Sequence, residues 1–186
     1  RSPVYAVCAA AAMHLELSHF NDEQQKAKGP AFKIGIGVNT GSLVLGTFGD
    51  SERMSVGVIS DAVNLAARIE GMTKMYGARL LISEATAQSL PEGMFTLREV
   101  DRVVAKGKQT ATAIFEVLDA DDDVVRAGKT RNLAHFQKGI ARYRSADFKG
   151  AIDEGAVCFA DDAEDGAGVI YLGGCRDYVE EGAPGG

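Results

Sequence analysis

Tryptophan is absent from this 186-residue chain, and histidine, cysteine and proline occur only three, three and four times. The cysteines, Cys8, Cys158 and Cys175, are odd in number, far apart and not in a CxxC pattern. That excludes a disulfide framework and a zinc site, and it fits a reducing, cytosolic compartment. His14 and His19 have no acidic or cysteine companions nearby and read as packing or surface residues rather than ligands. Positive charge is also in short supply, with 20 Lys and Arg against 26 Asp and Glu and a net charge of −6. Nucleic-acid binding through bulk electrostatics is thereby excluded, so an anionic ligand must be held by a few local cations. No apolar run approaches the roughly 20 residues of a membrane-spanning helix, and the first residues do not read as a signal peptide.

What the chain does have is 46% hydrophobic residues, enough for a real core, and 22 glycines, which imply tight turns or close backbone approaches. Residues 4–20 are alanine-rich and unbroken and read as a helix. Residues 21–30 are polar, end in Gly29-Pro30 and read as a loop. Residues 32–38 alternate apolar side chains with Lys and Gly, a strand with one buried face. Asn39-Thr40-Gly41 reads as a turn into a second strand over residues 42–48, so these two strands are expected to form a hairpin. A polar turn at residues 49–53 leads to a short third strand at 56–59.

Ser60 or Asp61 then caps a helix running to Tyr76 and closed by Gly77. Leu65, Ile69, Met72 and Tyr76 form its core stripe. Beside that stripe stand Asn64 and Arg68, one turn apart and therefore on one face. An amide next to a guanidinium is a donor-rich pair suited to ribose and phosphate oxygens, although spacing alone favours a solvated helix edge. Residues 80–83 read as a buried strand, with Ser83 capping a helix over residues 84–90 that Pro91 stops. Strands at 95–104 and 111–118 flank Lys106-Gly107-Lys108, either a positive tip for an anion or solubilising charge on a hairpin. The division expected is a domain over residues 1–118, an acidic linker over 119–129 and a helical tail over 130–186. Two amphipathic helices broken near Ala146-Asp147, with small residues at Gly139, Ala141 and Ala151, resemble one tetratricopeptide-like unit, followed by a third helix around residues 169–178. A single unit cannot bury its own core and is expected to dock on the preceding domain or on a partner.

The central stretch, KIGIGVNTGSLVLGTFGDSERMSVGVISDAVNLAARIE at residues 33–70, together with the later KGK turn, resembles the C-terminal half of a class III nucleotidyl cyclase catalytic domain. The VNLAARIE box is the most specific part. The resemblance implies an α+β, ferredoxin-like fold with an antiparallel-rich sheet, followed by a short helical extension of the bacterial cyclase type. It also implies conversion of ATP or GTP to the 3′,5′-cyclic nucleotide and pyrophosphate, in signalling, with two Mg²⁺ or Mn²⁺ ions bracing the nucleophile and phosphates. By the same resemblance Asn64 holds the ribose, Arg68 stabilises charge at the α-phosphate and Lys106 binds the terminal phosphates. Sites of this kind form between two domains packed head to tail, which implies a homodimer. Arg53 then belongs to an arm at the interface, and Asp61 is a structural cap.

Three departures from the family pattern stand out. The two metal-binding aspartates belong to strands upstream of residue 1, so no residue of this chain is assigned to metal. The fragment by itself is expected to be inactive, the parent enzyme carrying an upstream sensor or membrane segment. Val56 and Gly57 occupy the purine-proximal positions, where Gly57 has no side chain for a base. Ser60 stands in place of a glycine. The leading expectation is an adenylate cyclase; the alternatives are a guanylate cyclase or a degenerate cyclase-like domain that regulates or dimerises.

Overall fold

The computed structural model describes residues 2–50, 53–104, 111–161 and 165–181. Helix α1 (Ser2–Lys26) starts with Pro3 in its first turn, where a missing N–H costs nothing. It continues six residues past the alanine-rich run, because Glu, Gln and Lys at 23–26 are good helix formers despite their polarity. Of its buried residues, Val7, Ala10, Ala11 and His14, the first three are small and let the helix lie close on the sheet.

Strand β1 (Ile36–Val38) is shorter than the alternation of residues 32–38 suggests. The backbone of Phe32 is satisfied by a side chain instead of a strand: Asn21 accepts from its N–H and donates to its carbonyl, both at 2.8 Å. Strands β2 (Val44–Asp50) and β3 (Arg53–Ile59) pair antiparallel in a two-stranded sheet of their own. The expected pairing of the first two strands is therefore corrected, since β1 pairs parallel with β4 (Leu80–Ser83), Ile36 opposite Leu80. The reason lies in Asn39-Thr40-Gly41, which anchors the chain instead of reversing it. Asn39 Nδ2 donates to the Ala62 carbonyl at 2.9 Å, and the Thr40 and Thr86 hydroxyls meet at 3.0 Å.

Helix α2 (Asp61–Tyr76) ends at Gly77, whose φ of 62° is the left-handed conformation glycine favours, its N–H donating to the Thr73 carbonyl. Ser60, not Asp61, is the cap: its Oγ accepts from the Ala62 amide at 3.0 Å and also donates to the Ser42 carbonyl at 2.6 Å. Asp61 is the first helical residue and contributes favourable charge at the helix N-terminus. The helix crosses directly over β1. A Cβ on Gly37 would fall on the Glu70 amide and the Ala66 carbonyl, so only glycine permits this approach.

Helix α3 (Glu84–Ala87) is capped by Ser83, and β5 (Leu97–Val104) and β6 (Ala111–Val117) complete a sheet of order β1-β4-β6-β5. The sheet is covered on both faces. Leu80 and Ile82 point toward α1, while Leu81 points toward α2, and all three are fully buried. Four further helices follow: α4 (Asp123–Arg131), α5 (Leu133–Arg144), α6 (Phe148–Asp161) and α7 (Gly166–Glu181). The break between α5 and α6 falls at residues 145–147, where Ala146 takes a φ of 61° and Asp147 Oδ1 accepts from the Gly150 amide. Phe136, Ile140, Cys158 and Ala167 from the last three helices join Ile69, Leu81, Val100 and Ile114 in one apolar cluster. The tail thus docks on the sheet and α2.

The acidic stretch expected as a linker is a packed joint, a 3-10 turn (Leu118–Ala120) leading into α4. Asp119 accepts from the Thr96 amide at 2.7 Å, Asp121 pairs with Lys129 at 2.8 Å, and Asp122 binds Arg79. Lys129 also binds Glu116 at 2.6 Å, and Glu116 shares Arg98 with Asp165. The Arg98 guanidinium lies 4.1 Å from the centre of the Phe136 ring. Burial disfavours the charge on Arg98, but Glu116 and Asp165 more than compensate and its pKa rises.

Candidate active site

The side chains of Asn64 and Arg68 project from the exposed flank of α2, while Ile69, Met72, Thr73 and Tyr76 of the same helix are buried. The i,i+4 spacing brings this amide and guanidinium to one face, as the sequence implies. Arg68 is oriented by the sheet: its Nη1 donates to the carbonyl of Val104, the last residue of β5, at 2.8 Å. A guanidinium has five N–H donors, so this bond fixes direction and leaves most of them for a ligand. Sequence reasoning missed Val104, because a backbone carbonyl has no side-chain signature. It also missed Asn39, whose bond to the Ala62 carbonyl holds the first turn of α2; its position directly after an alternating strand was the available signal.

Val56 and Gly57 lie on β3 opposite Thr47 and Gly46, and β3 runs through Ser60 straight into α2. One continuous segment therefore carries these two positions together with Asn64 and Arg68. Arg53 begins β3, opposite Asp50. Lys106 lies outside the described residues, in the stretch joining β5 to β6. Around the polar pair stand apolar side chains open to solvent. Val63 precedes Asn64, Val104 holds Arg68, and Leu43 and Val44 follow the Ser42 carbonyl that Ser60 binds; Val44 is 71% exposed. Val63 and Val104, both exposed, adjoin the two donors, which suits a surface that a partner covers.

Among the described residues, no three His, Cys, Asp or Glu side chains come together to hold a metal ion. The described residues therefore do not fit the pair of divalent cations that the resemblance implies. No helix among them is long and apolar enough to cross a membrane. The perturbed groups lie away from Asn64 and Arg68. Tyr171 is pushed up to about 12 by burial and by Asp101, and Asp121 is raised, mainly by burial. Both belong to the contact between the sheet and the C-terminal helices.

Comparison with known proteins shows the family to which this fold belongs. An adenylate cyclase of Anabaena cylindrica is 44% identical over 119 residues, 60% of this chain and 24% of that protein. Adenylate cyclase 1 of Rhizobium meliloti is 36% identical over 130 residues, 70% of this chain and 19% of that protein. The chain thus spans a quarter or less of the length of these curated relatives. Among solved structures, the guanylyl cyclase Cya2 superposes with a TM-score of 0.54 at 27% identity, covering 65% of this chain and 60% of that one. The adenylyl cyclase CyaB from P. aeruginosa gives 0.50 at 29% identity, covering 65% and 61%. The adenylate and guanylate cyclase catalytic domain as a family matches residues 2–117, from the start of α1 to the end of β6, and the chain belongs to that family.

Proposed function

We propose that this chain supplies the transition-state half of an adenylate cyclase site, which converts ATP to 3′,5′-cyclic AMP and pyrophosphate. The observation that carries the reading is Arg68, exposed on α2 beside Asn64 and aimed by the Val104 carbonyl at 2.8 Å. Asn64 would bind the ribose and so hold the 3′ oxygen in line with the α-phosphorus. Arg68 would donate to the α-phosphate oxygens as negative charge grows on them, and Lys106 to the terminal phosphates. Two divalent cations, Mg²⁺ or Mn²⁺, would be held by side chains outside the described residues.

The exposed apolar groups around the pair support assembly of the site against a second copy, with Arg53 near that contact. ATP is preferred because the curated relatives above are named adenylate cyclases. The likeness to a guanylyl cyclase structure makes GTP the competing substrate. Val56 and Gly57 offer a base no side-chain hydrogen-bonding group. For the tail, Gly139 against Ala151 and Glu154 at the α5–α6 contact supports a single tetratricopeptide-like unit docked on its own catalytic domain. The nucleotide substrate supports a cytoplasmic location for this domain.

The test is an assay of the full-length protein with Mn²⁺-ATP and Mn²⁺-GTP, with cyclic product and pyrophosphate identified separately. Cyclic AMP should predominate. Loss of one donor aimed at developing charge costs about 3–4 kcal/mol, so Arg68→Ala should lower the rate roughly a hundred- to a thousand-fold. An undiminished rate in that variant refutes the role given to Arg68.

A further inference from the structure

Strand β5 carries one residue more than its partner. Glu99 pairs with Phe115 and Asp101 with Ile114, which leaves Val100 as a bulge. A bulge bends its strand and leaves a peptide group without a ladder partner, and Val100 is fully buried, so that group must be satisfied locally. The donor comes from the C-terminal helices: the Tyr171 hydroxyl of α7 reaches the Val100 carbonyl at 2.8 Å. The two neighbouring residues are gripped as well. Arg144 of α5 binds Glu99 at 2.7 Å, and Tyr76 of α2 donates to Asp101 at 2.8 Å. Arg98, just before the bulge, binds Asp165 at the head of α7 at 2.6 Å. Four residues beyond the bulge the strand ends at Val104, whose carbonyl orients Arg68.

We propose that α7 is a positioning element for Arg68: Tyr171 fixes the β5 bulge, and the bulge fixes where the Val104 carbonyl aims the guanidinium. Tyr171 touches no substrate; it acts through the strand. The proposal rests on the reading of Arg68 as the α-phosphate donor. The hydroxyl is well suited to the task, since burial and Asp101 keep the phenol protonated and donating at any physiological pH. A purely structural role would also satisfy the Val100 carbonyl, but it would not couple to Arg68. Such coupling separates the two.

The variant to use is Tyr171→Phe in the full-length protein, which keeps the ring packed against Tyr143 and removes only the hydroxyl, with its bond to the Val100 carbonyl and its contact with Arg144. Two measurements apply. Hydrogen exchange should become several-fold faster for the amides of residues 101–104 and stay unchanged in β4. In steady-state turnover with Mn²⁺-ATP, kcat should fall by roughly three- to ten-fold with KM within about two-fold, because the Arg68 donor acts mainly on the transition state. In an Arg68→Ala background, the same Tyr171→Phe change should cost less than about two-fold, the non-additivity expected of coupled residues. Unchanged exchange at 101–104, or an equal loss in both backgrounds, overturns the proposal. An Arg68→Ala protein that turns over at the full rate overturns the site reading and with it the Arg68 end of the proposal, whereas exchange alone decides whether α7 holds the strand.

Discussion

Arg68 and Arg98 show how differently one residue type is used within a single chain. Arg68 is exposed and spends one donor on a backbone carbonyl, so presenting its charge to a ligand requires little desolvation. Arg98 is 2% exposed and sits between Glu116 and Asp165, with every side of its guanidinium taken up. A buried pair of this kind is costly to break, because removal of one partner leaves the other charge stranded, at about 3–5 kcal/mol. Asp165 gives this a pH signature. Burial raises its pKa, but the Arg98 hydrogen bonds and charge outweigh burial and hold it below the ordinary carboxylate range. The folded state therefore binds fewer protons at this group than the unfolded state does. Its stabilisation is present in full above the ordinary carboxylate range and fades as pH falls through the lower, folded-state value. Asp165→Asn should cost about 2–4 kcal/mol in urea denaturation at pH 7, with the difference from the parent chain shrinking toward pH 3. Stability curves that stay parallel across that range count against the assignment.

At the level of elements, what was legible in the sequence was whatever is settled within a turn or two of the chain. The limits of α2 followed from Ser60 and Gly77, and its core stripe from the spacing of Ile69, Met72 and Tyr76; all of these are local rules, and the structure keeps them. The face shared by Asn64 and Arg68 was legible for the same reason. Strand pairing was not, because Asn39-Thr40-Gly41 has the composition of a turn whichever way the chain leaves it. Nothing local announces that Asn39 will bind Ala62 across 23 residues. The packing of the acidic stretch was not legible either, since its partners, Thr96, Arg79 and Lys129, are spread along the chain. Two glycines near α2 turn this into a paired prediction. Gly37→Ala pushes a methyl into the α2 backbone and should destabilise by about 1–3 kcal/mol. Gly71→Ala, within α2 and with nothing inside 4 Å of the new atom, should stabilise by about 0.5–1 kcal/mol. Thermal unfolding of the two single variants checks both signs. If Gly37→Ala is neutral, the helix does not cross β1 as closely as described.

For the molecule as a whole, the family's boundary and the fold's boundary do not coincide. The catalytic-domain match ends at residue 117, yet the apolar cluster beneath α2 continues through Phe136, Ile140, Cys158 and Ala167. Ending the chain at Val117 would uncover Val100, Val103 and Ile114 on one face of the sheet. It would also strip Asp165 from Arg98 and Lys129 from Glu116, leaving only the Arg98–Glu116 pair of that buried network. Together these losses are large against the whole stability of an ordinary domain, which is about 5–15 kcal/mol. A chain of residues 1–117 should therefore keep helical and strand signals in the far ultraviolet, lose fixed aromatic signals in the near ultraviolet, bind an apolar dye and unfold without a cooperative transition. The 186-residue chain, measured alongside, should unfold in one transition with no separate melting of the tail. Two resolved transitions in the long chain, or a cooperative one in the short chain near the same temperature, would mean that the tail is an independent module resting on a self-sufficient catalytic domain.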